Sequence, residues 1–296
     1  MQTTIKTQLI NQFTALFANA NATRLFFAPG RVNLIGEHTD YNGGNVFPCA
    51  LDIGTYALVR ARTNKLCRFY SINFPQQGVI EFDLDNLEFN SQHNWSNYPK
   101  GVMTEFIKAG AALTHGFEII FFGNIPNGAG LSSSASIEVL MGTILNSYFS
   151  CNFDPIKIAI LGQAAENNYI GVGCGIMDQF ASAMGQANHA ILLDCNTLNY
   201  SYAPLNIAGY KLVIANTNKQ RGLADSKYNE RLAQCRQALA ILQQKLAIKA
   251  LGEIDLAQLE QQANLFSDPL IYQRAHHAVS ENQRTLAAVA ALKAND

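Results

Sequence analysis

A glycine-rich loop set between an apolar run and a helical pattern constrains this chain more than any other feature. Residues 117–123 read Phe117-Glu118-Ile119-Ile120-Phe121-Phe122-Gly123, a strand bounded by turn residues. Then come Ile125-Pro126-Asn127-Gly128-Ala129-Gly130-Leu131 and the polar run Ser132-Ser133-Ser134-Ala135-Ser136. Beyond it Ile137, Leu140, Met141, Ile144 and Tyr148 recur at helical spacing. Glycine lets the main chain approach an anion closely and take positive φ. A helix start offers unpaired N–H groups and the positive end of its dipole. The serines add hydroxyls for phosphate oxygens or a metal. No Lys-Ser/Thr follows the second glycine, so this is not the Walker A loop. The bland alternative is a glycine turn with a serine cap; three consecutive serines after two spaced glycines weigh against it.

A second loop is denser in functional groups. Residues 30–44 read Gly30-Arg31-Val32-Asn33-Leu34-Ile35-Gly36-Glu37-His38-Thr39-Asp40-Tyr41-Asn42-Gly43-Gly44. A neutral sugar is read through its hydroxyls, and carboxylates accept those hydrogen bonds strongly and directionally. A metal site from Glu37, His38 and Asp40 is the alternative, but adjacent ligands rarely converge unaided and no second His/Cys cluster offers help. A third segment, Gly171-Val172-Gly173-Cys174-Gly175-Ile176-Met177-Asp178-Gln179-Phe180, places one aspartate at the expected start of a short helix. By frequency alone, Asp178 there reads as an N-cap.

The first segment resembles the phosphate loop of the GHMP small-molecule kinases, and the second and third resemble the signature and the catalytic stretch of the galactokinases among them. The resemblance implies an α+β fold of two domains, the first ribosomal protein S5 domain 2-like and the second ferredoxin-like. It implies ATP-dependent phosphorylation of D-galactose, with Mg²⁺ as cofactor. Carried over residue by residue, Asp178 is the catalytic carboxylate and Arg31 sits beside the reacting oxygen. Glu37, His38, Thr39, Asp40, Gly175 and Tyr228 contact the sugar. Asn127, Gly128, Ala129, Gly130, Leu131, Ser132 and Ser133 cradle the phosphates, with Ser71 near the nucleotide. Ser133 and Glu166 meet the metal; read alone, Glu166 is an ordinary solvated helix residue. Trp95, the single tryptophan, is a weaker candidate for stacking near adenine.

Composition narrows the partners. The 296 residues carry a formal net charge of −1, so no basic excess exists to meet a nucleic acid or an anionic membrane. The six cysteines form no CxxC unit and read as scattered thiols. The N-terminus lacks the continuous apolar core of a signal peptide, and no stretch approaches about 18 uncharged apolar residues. A cytoplasmic monomer is expected.

Along the chain, residues 9–17 read as an amphipathic helix and 56–62, 190–194 and 210–216 as strands. Asp154-Pro155 opens a helix running to about residue 169. Beyond 226 the pattern is helical, with Leu232, Cys235, Leu239 and Leu242 on one face. The expected domains are 1–200, binding galactose and ATP, and 201–296, a partial second domain. The resemblance includes Arg274-Ala275-His276-His277-Ala278-Val279-Ser280-Glu281-Asn282, similar to a late helical segment of the family. The family's third glycine-rich motif has no counterpart here. Three rivals stand beside galactose phosphorylation: a kinase for a related hexose such as N-acetylgalactosamine, a non-catalytic sugar sensor, and a truncated inactive chain that still binds ligand. Sensors of this type lose part of the serine run, which is whole here.

Overall fold

A computed structural model describes residues 2–126, 128–205, 207–216 and 226–294. The chain packs as two compact units interleaved along the sequence. Unit 1 is Met1–Gly30 with Leu51–Gly171, and unit 2 is Arg31–Ala50 with Val172–Asp296. The sequence reading drew a single division after residue 200.

Unit 1 is built on a five-stranded sheet in the order β1-β3-β6-β4-β5, from β1 (Arg24–Asn33), β3 (Pro48–Ala61), β4 (Leu66–Ser71), β5 (Ile80–Asp83) and β6 (Phe117–Gly123). The unit boundaries fall inside β1 and β3. β6 runs antiparallel to β3, from Thr55↔Gly123 to Ala61↔Phe117, and parallel to β4. Its residues Phe117, Ile119, Ile120 and Phe121 are all buried, as befits a central strand covered on both faces. Helix α1 (Gln2–Phe17) lays Ile5, Leu9, Phe13 and Phe17 on Tyr56, Leu58 and Ile120. The remaining helices, α2 (Asn97–Lys108), α3 (Ser133–Phe149) and α4 (Pro155–Ala165), pack on one another. α4 starts as its sequence demands: Asp154 accepts a hydrogen bond from Lys157 N at 2.7 Å and Pro155 takes the first turn. It ends in one π-type turn, Glu166–Ile170.

Unit 2 has a three-stranded antiparallel sheet, β2-β7-β8, from β2 (Asn45–Val46), β7 (His189–Asp194) and β8 (Tyr200–Pro204). Its helices are α5 (Met177–Met184), α6 (Ser226–Leu242), α7 (Leu256–Gln261) and α8 (Pro269–Ala294). One core gathers Cys235, Ala238 and Leu242 of α6 with Ile271, Ala275 and Val279 of α8, and Tyr41 packs against it. A second joins Phe47, Cys49, Ala190 and Ala203 to Val289 of α8.

Residues 210–216 depart from the expected strand: they are irregular, with Tyr210 81% and Val213 86% exposed. Their composition suits a strand, but strand propensity is realised only where a neighbouring ladder takes the main-chain N–H and C=O groups. The expected helix at 9–17 is the second half of the longer α1, and the strand at 56–62 is the end of the longer β3. All six cysteines are free. Among the described residues, no helix is long and apolar enough to cross a membrane.

Candidate active site

In unit 1 the sequence-predicted phosphate loop joins β6 to α3 as strand, glycine turn and helix. Gly128 and Gly130 adopt φ of 70° and 73°, and Ser132 also takes a left-handed φ of 60°. Alternating handedness of this kind turns successive N–H groups toward one side, a concavity suited to an anion. Leu131 is buried and anchors the turn, its carbonyl lying where a Cβ on Gly30 would have to go. Ser133 is the exposed first residue of the 17-residue α3, so its hydroxyl stands at the positive end of a long helix. Ala129 sits in the turn, its N–H reaching Pro126 O at 3.3 Å. Asn127 lies outside the described residues. Ser71 ends β4 opposite Phe121 of β6; it is buried, and its hydroxyl accepts from Asn73 N at 3.3 Å. Glu166 is buried at the start of the π-type turn, not solvated as its sequence context alone suggests. Such turns interrupt helices at functional sites often enough to mark the position. Trp95 is buried against Phe121, ring centroids 5.3 Å apart, which makes it a core residue.

Unit 2 brings together the residues expected to handle the sugar. Arg31 donates from Nε to Asp178 Oδ1 at 2.7 Å and from Nη2 to Oδ2 at 2.6 Å. Asp178 is not the N-cap that frequency favours: Ile176 holds that position, and Asp178 lies inside the first turn of α5 with its carboxylate on the guanidinium. Gly175 meets the other acid, since a Cβ there would collide with the Asp40 carboxylate. Asp40 is pushed up to about 7 by burial and by the neighbouring Asp178, with hydrogen bonding and Arg31 opposing. Burial, then the Asp40 charge, drives the Tyr228 phenol up, so it remains a hydroxyl. His38 is held below its ordinary value by burial and by Arg231, His277 and Arg274, so the neutral ring prevails at neutral pH. Its Nδ1 lies 2.6 Å from Tyr41 Oη, and the Tyr41 and Tyr228 rings meet edge-on at 5.4 Å. Glu37 Oε1 accepts from Asn33 Nδ2 at 2.8 Å. Thr39 is fully buried, its hydroxyl 2.8 Å from Gly36 O and 2.7 Å from Asn45 O, so it shapes the loop from inside.

These groups suit one task. Two carboxylates, a neutral imidazole and a protonated phenol offer acceptors and donors for several hydroxyls, beside a carboxylate locked to a guanidinium. Sequence reasoning missed Tyr41 as a partner of His38 and Tyr228, although it stands in the same motif. It also gave no role to His277, Glu281 and Asn282, which bond the loop main chain. The quoted 274–282 segment contained them, but nothing in its spacing says what they touch.

Comparison with known proteins agrees with the geometry. Residues 97–186 match the N-terminal domain of the GHMP kinases, which sets the class: an α+β small-molecule kinase. Residues 11–61 match the galactokinase galactose-binding signature. The chain is 60% identical over 288 residues to the galactokinase of Clostridium beijerinckii, covering 97% of this chain and 74% of that protein. It is 56% identical over 291 residues to the galactokinase of Clostridium acetobutylicum, covering 97% and 75%. The crystal structure of Lactococcus lactis galactokinase complexed with galactose superposes with a TM-score of 0.95 at 47% identity, covering 98% of this chain and 75% of that one. The chain therefore belongs to the galactokinase family and spans about three quarters of these relatives' length.

Proposed function

We propose that the chain transfers the γ-phosphoryl group of ATP to the C1 hydroxyl of D-galactose, giving α-D-galactose 1-phosphate and ADP. The observation that carries this reading is the bidentate Arg31–Asp178 pair beside the Asp40 and Gly175 contact. Phosphoryl transfer needs the nucleophile oriented and its proton accepted while charge spreads over the transferring group. Asp178 would take the C1 proton, and Arg31 would stabilise the transferring oxygens. Glu37, His38, Asp40 and Tyr228 would read the remaining hydroxyls, with Gly175 leaving room and Thr39 holding the loop. A site that hydrogen-bonds a hydroxyl in this way rejects analogues lacking it by roughly 10⁴–10⁵.

In unit 1 the N–H groups from Gly128 to Ser133, with Asn127, would hold the triphosphate, and Ser71 would line the nucleotide. Ser133 and Glu166 fit Mg²⁺ by the chemistry of their donors. Both offer oxygen, and Mg²⁺ keeps several waters and takes phosphate oxygens, so it needs few protein ligands. Among the described residues, no group of three or more His, Cys, Asp or Glu could hold a metal. When bound, the ion would neutralise charge on the β- and γ-phosphates. The chain would carry out this reaction in the cytoplasm.

The test is direct. The purified chain is incubated with ATP and galactose, with and without Mg²⁺, and galactose 1-phosphate and ADP are quantified against glucose and N-acetylgalactosamine controls. Equal amounts of sugar phosphate and ADP, dependent on Mg²⁺ and greatest with galactose, are expected. A folded chain that phosphorylates no galactose would defeat the reading.

A further inference from the structure

One face of α8 grips the sugar loop from behind. His277, Glu281, Asn282 and Thr285 fall four, five and eight positions apart along α8 and so share that face. Glu281 Oε1 accepts from two consecutive main-chain donors, Gly36 N at 2.9 Å and Glu37 N at 3.1 Å. Its other oxygen accepts from Arg284 Nε at 2.8 Å and Nη2 at 2.7 Å. Asn282 Oδ1 accepts from Asn45 N at 2.7 Å and Asn45 Nδ2 at 2.9 Å, while its Nδ2 donates to Gly252 O at 3.1 Å. The His277 ring lies 2.9 Å from Glu37 O through Nε2. Thr285 closes over Gly36, its Oγ1 only 3.1 Å from where a Cβ would stand. Both ends of the 36–45 loop are thus tied to neighbouring residues of one helix, some 240 positions away in sequence.

The loop needs such a hold. Gly36 and His38 adopt φ of 101° and 63°, a shape outside any ladder, and Glu37 lies between them. A buried carboxylate is expensive to keep, and an apolar residue would pack α8 at lower cost. What an apolar residue cannot do is accept two adjacent N–H groups and so set the direction of the Glu37 and His38 side chains. Burial works against the Glu281 charge, but the bonds from Gly36, Arg284 and Glu37 outweigh it and hold the carboxyl below its ordinary range.

We propose that Glu281, supported by Asn282 and His277, is a positioning residue that holds the sugar loop in its binding shape before galactose arrives. This rests on the reading of residues 37–40 as the galactose-binding segment. Galactose and ATP binding are measured by calorimetry, and main-chain amide exchange by NMR, in the wild-type chain, Glu281→Gln and His277→Ala. Glu281→Gln keeps the shape but gives up the charge, and its one carbonyl oxygen cannot serve both the loop and Arg284. Its galactose Kd should rise about tenfold, as expected for weakened hydrogen bonds to a charged acceptor. Exchange at Gly36 and Glu37 should accelerate, with ATP Kd unchanged. A folded Glu281→Gln with wild-type galactose Kd and wild-type exchange at those amides overturns the proposal. So does a variant that merely melts earlier, or one that loses ATP and galactose binding equally. If Glu281→Gln does not fold, His277→Ala, at an exposed position, carries the test with a smaller loss, about threefold, in the same direction; no change there overturns the proposal. A wild-type chain that binds no galactose defeats the functional reading instead, and the exchange rates still decide whether α8 holds the loop.

Discussion

Arg31 and Asp178 stand 147 positions apart in sequence and meet through two parallel hydrogen bonds, Nε to Oδ1 and Nη2 to Oδ2. The fork fixes the plane of the carboxylate as well as its position, which a single contact or a lysine would not do. Asp178→Asn keeps the size of the side chain but turns an NH₂ toward a guanidinium that can only donate. The expected outcome is a fall in kcat of about 10²–10⁴, the range of general-base contributions. ATP affinity should stay close to wild type. Steady-state kinetics with calorimetric ATP titration checks both; turnover within a factor of a few of wild type removes Asp178 from catalysis.

Gly175 is required for space and not for an unusual backbone angle, because a Cβ there would collide with the Asp40 carboxylate. Overpacking of this kind costs about 1–3 kcal/mol. In Gly175→Ala the relief should come from displacement of Asp40, so the galactose KM rises while the ATP KM holds. Equal changes in both constants, or in neither, would mean that the Asp40 position does not matter to the sugar.

The charge on Asp40 sets a pH window. Its carboxyl is raised to about 7 in the folded chain, by burial first and then by Asp178, from an ordinary 3.8. A raised carboxyl contributes stability that is fully present below pH 3.8 and is lost as pH climbs through about 7, because the folded state then holds an ion it would prefer neutral. Asp40→Asn, which cannot ionise, should therefore gain stability relative to wild type between pH 4 and 8, on the order of 4 kcal/mol at the upper end. Melting curves across that range check the sign. A gap that narrows as pH rises contradicts it.

The two loops were legible in the sequence because each concentrates its chemistry in a short run: glycines and serines in one, Arg31 to Tyr41 in the other. A run of that kind carries its own local geometry, and the left-handed Gly128 and Gly130 are the form the pattern predicts. Asp154-Pro155 was legible for the same reason. What depends on distant partners was not. Residues 210–216 have the composition of a strand but adopt no strand, since composition cannot supply a neighbouring ladder. Glu166 read as solvated and is buried, and Glu281 showed no sign of the two N–H groups it accepts. The interleaving of the units is of the same kind, for residues 31–50 join unit 2 through contacts more than a hundred positions away.

Gly130 separates backbone shape from side-chain contact in the loop proposed to hold the triphosphate. Its φ is 73°, and a Cβ added there would meet nothing within 4 Å. An alanine would thus be penalised by handedness alone, about 1–2 kcal/mol. The residue is exposed at a bend, and the expectation is that in the free chain Gly130→Ala relaxes toward ordinary φ and recovers most of that energy. ATP binding would have to reimpose the left-handed form. The expected outcome is a KM for ATP raised by about 5–30-fold, the equivalent of that penalty, with galactose affinity and melting temperature nearly unchanged. Kinetics at varied ATP, galactose calorimetry and a melting curve on one preparation settle it. An ATP KM that does not move would show that the loop holds nucleotide without the left-handed turn at Gly130, and the anion concavity assigned to residues 128–133 would lose its main support.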